Sequence, residues 1–173
     1  VSVRARLAIV LFGTAAAVYT LDRMTKLWAE NQLADRDPIV LIPKVLQLRY
    51  VENSGGAFSL FGGQPWLFFA ASMIVAVVIF YLSTRLHSVV SAVGLGLVLG
   101  GALGNLTDRI ARGPGVSGKV IDWMEFPRVW PVFNVADSAI VIGAILLVVW
   151  SVFHRPSDRE PAGPRAEEHT GQP

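Results

Sequence analysis

The stretch Phe133 to Phe153, FNVADSAIVIGAILLVVWSVF, decides the fold. It is long and apolar enough to cross a bilayer, for which a helix needs about 20 mostly apolar residues. Asp137 is the only formally charged side chain between Arg128 and His154. A carboxylate at bilayer depth costs roughly 2.5 to 3.5 kcal/mol on insertion scales, so something must compensate it or use it. A second acid, Asp122 in GKVIDW, leads up to the same helix. Two acids near each other at a membrane surface point to acid/base chemistry.

The rest of the chain fits a membrane setting. Of its 173 residues 53% are hydrophobic and only 16% charged, with a mean hydropathy of +0.50, far more apolar than a soluble domain of this length. The formal net charge is +2 and the basic residues are scattered over several loops, so no nucleic acid partner is expected. Cysteine is absent, which excludes disulfides, thiol nucleophiles and cysteine-ligated metals. His87, His154 and His169 are not spaced as ligands on one helix, so neither a metal nor another cofactor is expected.

Four spans are predicted, at about 7–28, 65–82, 88–107 and 133–153. Trp66, Tyr81, Trp130 and Trp150 lie near their ends, where amphipathic rings favour the interface. The first span also fits a cleavable secretory leader, since Arg4 and Arg6 precede an apolar run with Ala15, Ala16 and Ala17. An even number of spans puts both termini on one side. Arg4, Arg6, Arg85, Arg155 and Arg159 would mark that side as cytoplasmic, but Arg36, Lys44, Arg49, Arg112, Lys119 and Arg128 lie opposite, so charge bias alone does not fix the orientation. The segment PIVLIPKVLQLRY (38–50) is branched and partly alternating, and with its glycine-rich continuation it predicts a small extramembrane β lobe at about 38–60, between the first two spans. Residues 1–154 form the four-span unit, and 155–173, polar and proline-bearing, are expected to be a disordered tail.

Gly96, Gly100 and Gly104 follow one another at four-residue steps and form a smooth stripe that lets another backbone approach closely in lipid. Beyond the stripe, Asn105, Asp108 and Arg109 share a helical face, where Asp108 and Arg109 could be a simple interfacial charge pair. Asn134 and Asp137 share another face, and Asn134 can hydrogen-bond near the carboxylate. Asp22 and Lys26 form an i, i+4 pair that intrahelical charge neutralisation would explain by itself.

In order, LDRMTK, VENSGGAF, GGALGNLTDR, GKVIDW and FNVADSAI closely resemble the elements of the bacterial lipoprotein signal peptidases, or signal peptidase II, from the first span through the fourth. The resemblance implies a mainly α protein of the inner (plasma) membrane, with four transmembrane helices, a small extramembrane β lobe, cytoplasmic termini and an active site toward the outer face. It implies removal of signal peptides from diacylglyceryl-modified prolipoproteins, with cleavage before the lipidated cysteine. Asp122 and Asp137 match the family's two catalytic aspartates. Asp22 and Lys26 match an aspartate and a lysine in a first span that the family retains, against the leader reading. Asn53, Gly56, Ala57 and Phe58 match an element near the substrate groove, Gly104, Asn105, Asp108 and Arg109 match residues at the site, and Asn134 neighbours the second aspartate. The stretch 110–117 is longer than the family's usual spacer, and 124–132 is shorter. Partners are then prolipoprotein substrates and membrane lipids, with the protein a monomer.

Peptide hydrolysis needs an activated nucleophile, a proton for the leaving amine and stabilisation of the developing oxyanion. With no cysteine and no serine suitably paired to histidine or lysine, water is the expected nucleophile and the aspartate pair its activator. Arg109 is expected to meet a carboxylate or hold a backbone carbonyl, and Asn53 to orient the substrate main chain. A proton-coupled transporter using Asp22 and Asp137 would show broken or inverted-repeat spans, which are not evident. A presenilin-type protease would carry a glycine-x-glycine-aspartate element, which is absent. A purely structural assembly subunit leaves Asp122, Asp137, Asn105 and Asn134 without a joint purpose.

Overall fold

The computed structural model describes residues 2–55 and 64–153. Four helices in it are long and apolar enough to span a membrane: α1 (Val3–Leu33), α2 (Pro65–Ser83), α3 (Val89–Ala111) and α4 (Val135–Phe153). Their starts follow local chemistry. The Ser2 hydroxyl accepts from Ala5 N at 3.2 Å at the head of α1, Pro65 occupies the first turn of α2, and the Ser88 hydroxyl accepts from Ser91 N at 3.0 Å at the head of α3. With 31 residues, α1 is roughly 46 Å long at about 1.5 Å per residue and outruns a hydrocarbon core of about 30 Å. Its charged stretch, Asp22 to Glu30, therefore stands at one end of the bundle.

Helix α3 is the spine, with α1, α2 and α4 all packed against it. The glycine stripe faces α1: a Cβ at Gly100 would come within 2.6 Å of the Ala15 carbonyl oxygen, so the two backbones touch only because no side chain is there. Leu7, Leu11, Ala15, Ala76, Ile79, Ala92 and Leu99 fill the space between α1, α2 and α3.

The β lobe is a four-stranded antiparallel sheet in the order β1 (Ile39–Ile42), β2 (Leu46–Asn53), β3 (Val120–Phe126), β4 (Trp130–Phe133). The sequence reading located the lobe only between the first two spans, at 38–60. Half of the strands in fact come from the connection between α3 and α4, and residues 56–60 lie outside those described. Strand β3 escaped notice because Val120, Ile121 and Asp122 are all buried, so no alternation of polar and apolar residues marks it. The register pairs Asn53 with Val120 and Val51 with Asp122, which sets Asp122 in the sheet and not in a loop. The fourth helix likewise starts at Val135, after Phe133 has ended β4. The expected tail at 155–173 lies outside the described residues. The sheet docks on the protruding end of α1 through Ala29, Leu33 and Ile121, joined by Leu48, Tyr50 and Trp123.

Two substitutions separate close packing from helix propensity. Gly100→Val should lower stability by about 1–3 kcal/mol through overpacking against α1. Gly13→Ala, where an added Cβ meets nothing within 4 Å, should be neutral or raise stability by up to about 1 kcal/mol. Thermal unfolding in detergent reads both, and equal responses would refute the close-approach argument.

Candidate active site

Helix α4 begins with a reciprocal cap. Asp137 N donates to the Asn134 side-chain oxygen at 2.9 Å, and Asn134 N donates to Asp137 Oδ2 at 3.3 Å, which satisfies two amides that a helix start leaves free. A third amide of that turn, Ala136 N, donates to Asp22 Oδ1 of α1 at 3.0 Å. Negative groups thus gather where the peptide dipoles of α4 present their positive end. The same cap aims Asn134 Nδ2 at Asp122 Oδ1, 2.7 Å away, with the Ile121 carbonyl and Asn105 Oδ1 both at 3.2 Å. One fully buried amide therefore spans the gap between the strand that carries Asp122 and the helix that carries Asp137.

Each of the two carboxylates is held by donors. Asp122 Oδ2 accepts from Asn53 Nδ2 at 2.8 Å, and Asp137 Oδ1 accepts from Asn105 Nδ2 at 2.8 Å. Burial, and after it the negative charge of Asp137, push the Asp122 carboxyl up to about 7, while the Asn53 and Asn134 bonds pull the other way. Both acids line a cavity of about 680 Å³ that is otherwise mainly apolar, with Phe68 and Ala71 of α2, Phe126 of β3, Trp130, Val132 and Phe133 of β4, and Ile140 and Val141 of α4 in its walls. Asn53, Asn105, Arg109, Ser72 and Ser138 complete the polar part of the wall.

Behind that wall lies a buried charge cluster. Lys26 Nζ is 2.9 Å from Asp22 Oδ2, 2.9 Å from Asp108 Oδ2 and 2.8 Å from Asn105 Oδ1, so the Asp22–Lys26 pair does more than neutralise one helix. Asp108 does not pair with Arg109 as an isolated interfacial couple. It meets Lys26, Arg23 and Arg112, and accepts Ile121 N at 3.4 Å. Arg109 Nη1 donates to the chain's own Gly118 carbonyl at 3.2 Å, and the guanidinium lies over the Phe68 ring, 5.3 Å from its centre. Gly104 leaves room for Asp22, whose Oδ2 would stand 2.5 Å from an added Cβ. Asn53 holds Asp122 itself. Gly56, Ala57 and Phe58 lie outside the described residues. Sequence reasoning missed Arg23, Glu30, Arg112 and Phe68; of these Arg112 and Glu30 carried a local signal, their i, i+4 spacings from Asp108 and Lys26.

Known proteins can now be compared with this arrangement. The sequence model described as signal peptidase (SPase) II matches residues 14–153. A protein of Mycobacterium avium named lipoprotein signal peptidase is 46% identical over 144 residues, which cover 83% of this chain and 79% of the relative. Proteins of the same name from Rhodococcus jostii and Streptomyces coelicolor are 46% and 45% identical over 82% of this chain, covering 71% and 70% of their own lengths. Among solved structures, a bacterial membrane enzyme determined by the in meso method at 2.3 Å resolution superposes with a TM-score of 0.73 at 25% identity, covering 90% of this chain and 94% of that one. Another, at 1.9 Å, gives 0.68 at 27% identity over 80% and 90%. The described site residues, Asp22 to Asp137, fall within the matched stretch, and the chain belongs to the signal peptidase II family of peptidases.

Proposed function

We propose that this membrane peptidase removes signal peptides from diacylglyceryl-modified prolipoproteins, cutting before the lipidated cysteine, with Asp122 and Asp137 as its catalytic pair. The observation that carries the reading is the pair itself: two carboxyls from different elements, linked through Asn134, on one wall of an apolar cavity. Two such groups cannot both ionise cheaply, so near neutral pH they share one proton and titrate as a unit.

In the proposed reaction the ionised member takes a proton from water as the water oxygen attacks the scissile carbonyl carbon, and the protonated member donates its proton to the carbonyl oxygen. The tetrahedral intermediate collapses when the member that took the water proton gives it to the amine nitrogen. The C–N bond breaks, and the carbonyl re-forms as its hydroxyl proton returns to the other aspartate. Asn53 and Asn105 each occupy one lone pair of a carboxylate and keep both groups aimed while the proton moves. The apolar walls suit acyl chains, so the lipid on the substrate helps to fix the depth of its scissile bond. The proposed orientation has cytoplasmic termini and the acid pair toward the outer face, supported by Arg4, Arg6 and Arg85 at the end of the bundle opposite the sheet.

Purified protein in detergent should cleave a diacylglyceryl-modified prolipoprotein. Asp137→Asn and Asp122→Asn should each lower kcat by roughly 10²- to 10⁴-fold while substrate binding persists. Full activity in either variant removes that aspartate from the mechanism, and an inactive wild type removes the reading altogether. For pH the sign follows from the raised Asp122 group: below about 7 the pair retains its shared proton, and above it both members ionise. The kcat/KM profile, which reports the free enzyme, should therefore fall on the alkaline side with a midpoint near 7, and a profile flat through that region would contradict the shared proton. Because the chain lacks cysteine, orientation can be read from single substitutions in intact cells. Lys119→Cys should react with a membrane-impermeant maleimide and Arg85→Cys should not, and the reverse pattern would invert the topology.

A further inference from the structure

Glu30 and Arg112 belong to none of the motifs above and line no part of the cavity, yet their geometry is specific. The Arg112 guanidinium forks onto Glu30, Nη1 to Oε1 at 2.7 Å and Nη2 to Oε2 at 3.0 Å, while its Nε reaches Asp108 Oδ1 at 3.1 Å. A planar group with donors fixed in this way holds two carboxylates in one relative position, which a flexible ammonium does not do. Glu30 stands on α1, Asp108 on α3, and Arg112 just past the end of α3 at the start of the connection to β3. Gly118 N donates to the Arg109 carbonyl at 2.9 Å and closes that connection at its base.

Asp108 is the point from which both acids are reached. Its Oδ2 accepts Ile121 N, the residue before Asp122, and contacts Lys26, whose bond to Asn105 leads on to Asp137. Arg23 also meets Asp108, but it lies on the same helix as Lys26 and cannot tie the α3–β3 connection to α1. We propose that the Glu30–Arg112 pair is a charged strut that sets the position of the Asp108 carboxylate, and through it the relative placement of Asp122 and Asp137, which makes both strut members positioning residues. This inference rests on the peptidase reading given above.

The bland alternative is a partly exposed ion pair, with side-chain exposures of 20% for Arg112 and 38% for Glu30. Pairs of that kind contribute little and leave kinetics untouched. The groups facing Asp122 are Asn53 from β2, Arg109 from α3, and Asn134 and Asp137 from the start of α4, with Lys26 of α1 contributing charge from behind. Those facing Asp108 are Arg23 and Lys26 of α1 and Arg112 in direct contact, with Asp22 and Glu30 of α1 and Arg109 of its own helix contributing charge from farther off.

The test uses the full chain in detergent, with cleavage kinetics on a diacylglyceryl-modified prolipoprotein. Alongside, the carboxyl C=O stretch is titrated by infrared on protein with isotopically labelled aspartate, the Asp122 band being assigned by its loss in Asp122→Asn. Arg112→Met should lower kcat about tenfold with KM within about twofold, because the strut aligns reacting groups and touches no substrate. It should also move the Asp122 titration upward, since a positive charge leaves the cluster. Arg112→Lys, with charge but no fork, should recover part of the loss, and Glu30→Gln, which retains the Asp108 contact, should fall between. Wild-type kcat and an unmoved titration in Arg112→Met overturn the strut. An inactive wild type would overturn the peptidase reading instead, and the infrared titration alone would then decide whether Arg112 governs the Asp122 environment.

Discussion

An ammonium group with no exposed surface must be surrounded by acceptors, and Lys26 collects three of them from two helices: Asp22 of its own helix, and Asp108 and Asn105 of α3. Left unpaired at that depth, the charge would cost several kcal/mol, so the two helices it connects are held to a single arrangement. The consequence reaches the cavity through Asn105. Its side-chain oxygen is committed to Lys26, so its NH₂ faces the other way, onto Asp137. A flipped amide would set two donors against an ammonium and an oxygen against a carboxylate. Asp22 extends the tie to α4 by accepting the amide of Ala136.

Polar ties of this kind matter more in lipid than in water, because acyl chains are as apolar as leucine and helices gain little by hiding apolar faces from them. Association then rests on close backbone packing and on hydrogen bonds. This chain uses both on one helix. The glycine face of α3 brings α1 into contact through the apolar depth of the bundle, and where the stripe reaches Gly104 the space goes to the Asp22 carboxylate. Packing and site are successive stretches of the same helical face.

What could be read in the sequence follows from this division. The spans, the stripe and the isolated acid at Asp137 were legible because each is a local departure from what lipid demands. The resemblance to signal peptidase II was legible because its motifs are themselves local. Strand β3 was not, since a strand buried on both faces has no alternation and pairs with β2 across a long separation in sequence. The Asn134–Asp137 spacing was read as two residues on one helical face, whereas Asn134 precedes the helix and caps it. The Arg112 fork was hidden because its main partner, Glu30, is far away in the chain. The first span is read from apolar length as 7–28, yet the helix runs on to Leu33, because polar residues do not stop a helix that is leaving the membrane.

The two acids belong to different bodies, and this bears on how such a site works. Asp122 travels with the sheet and Asp137 with the bundle. The sheet is seated on the bundle by the apolar contact of Ile121 with Ala29 and Leu33, by the Trp28 and Trp123 rings set edge to face at 5.5 Å, and by the bond from Ile121 N to Asp108. Asn134 lies in the link between β4 and α4 and bonds to both acids. It reaches them with different groups, the side-chain amide to Asp122 and the backbone N–H to the Asp137 carboxylate, so a tilt of the sheet would alter the spacing of the carboxyls. The cavity beside them is walled by β4, α2 and α4 together. Asn134 between the two acids and Asp108 beneath the strand are the groups that tie Asp122 to the bundle on which Asp137 stands.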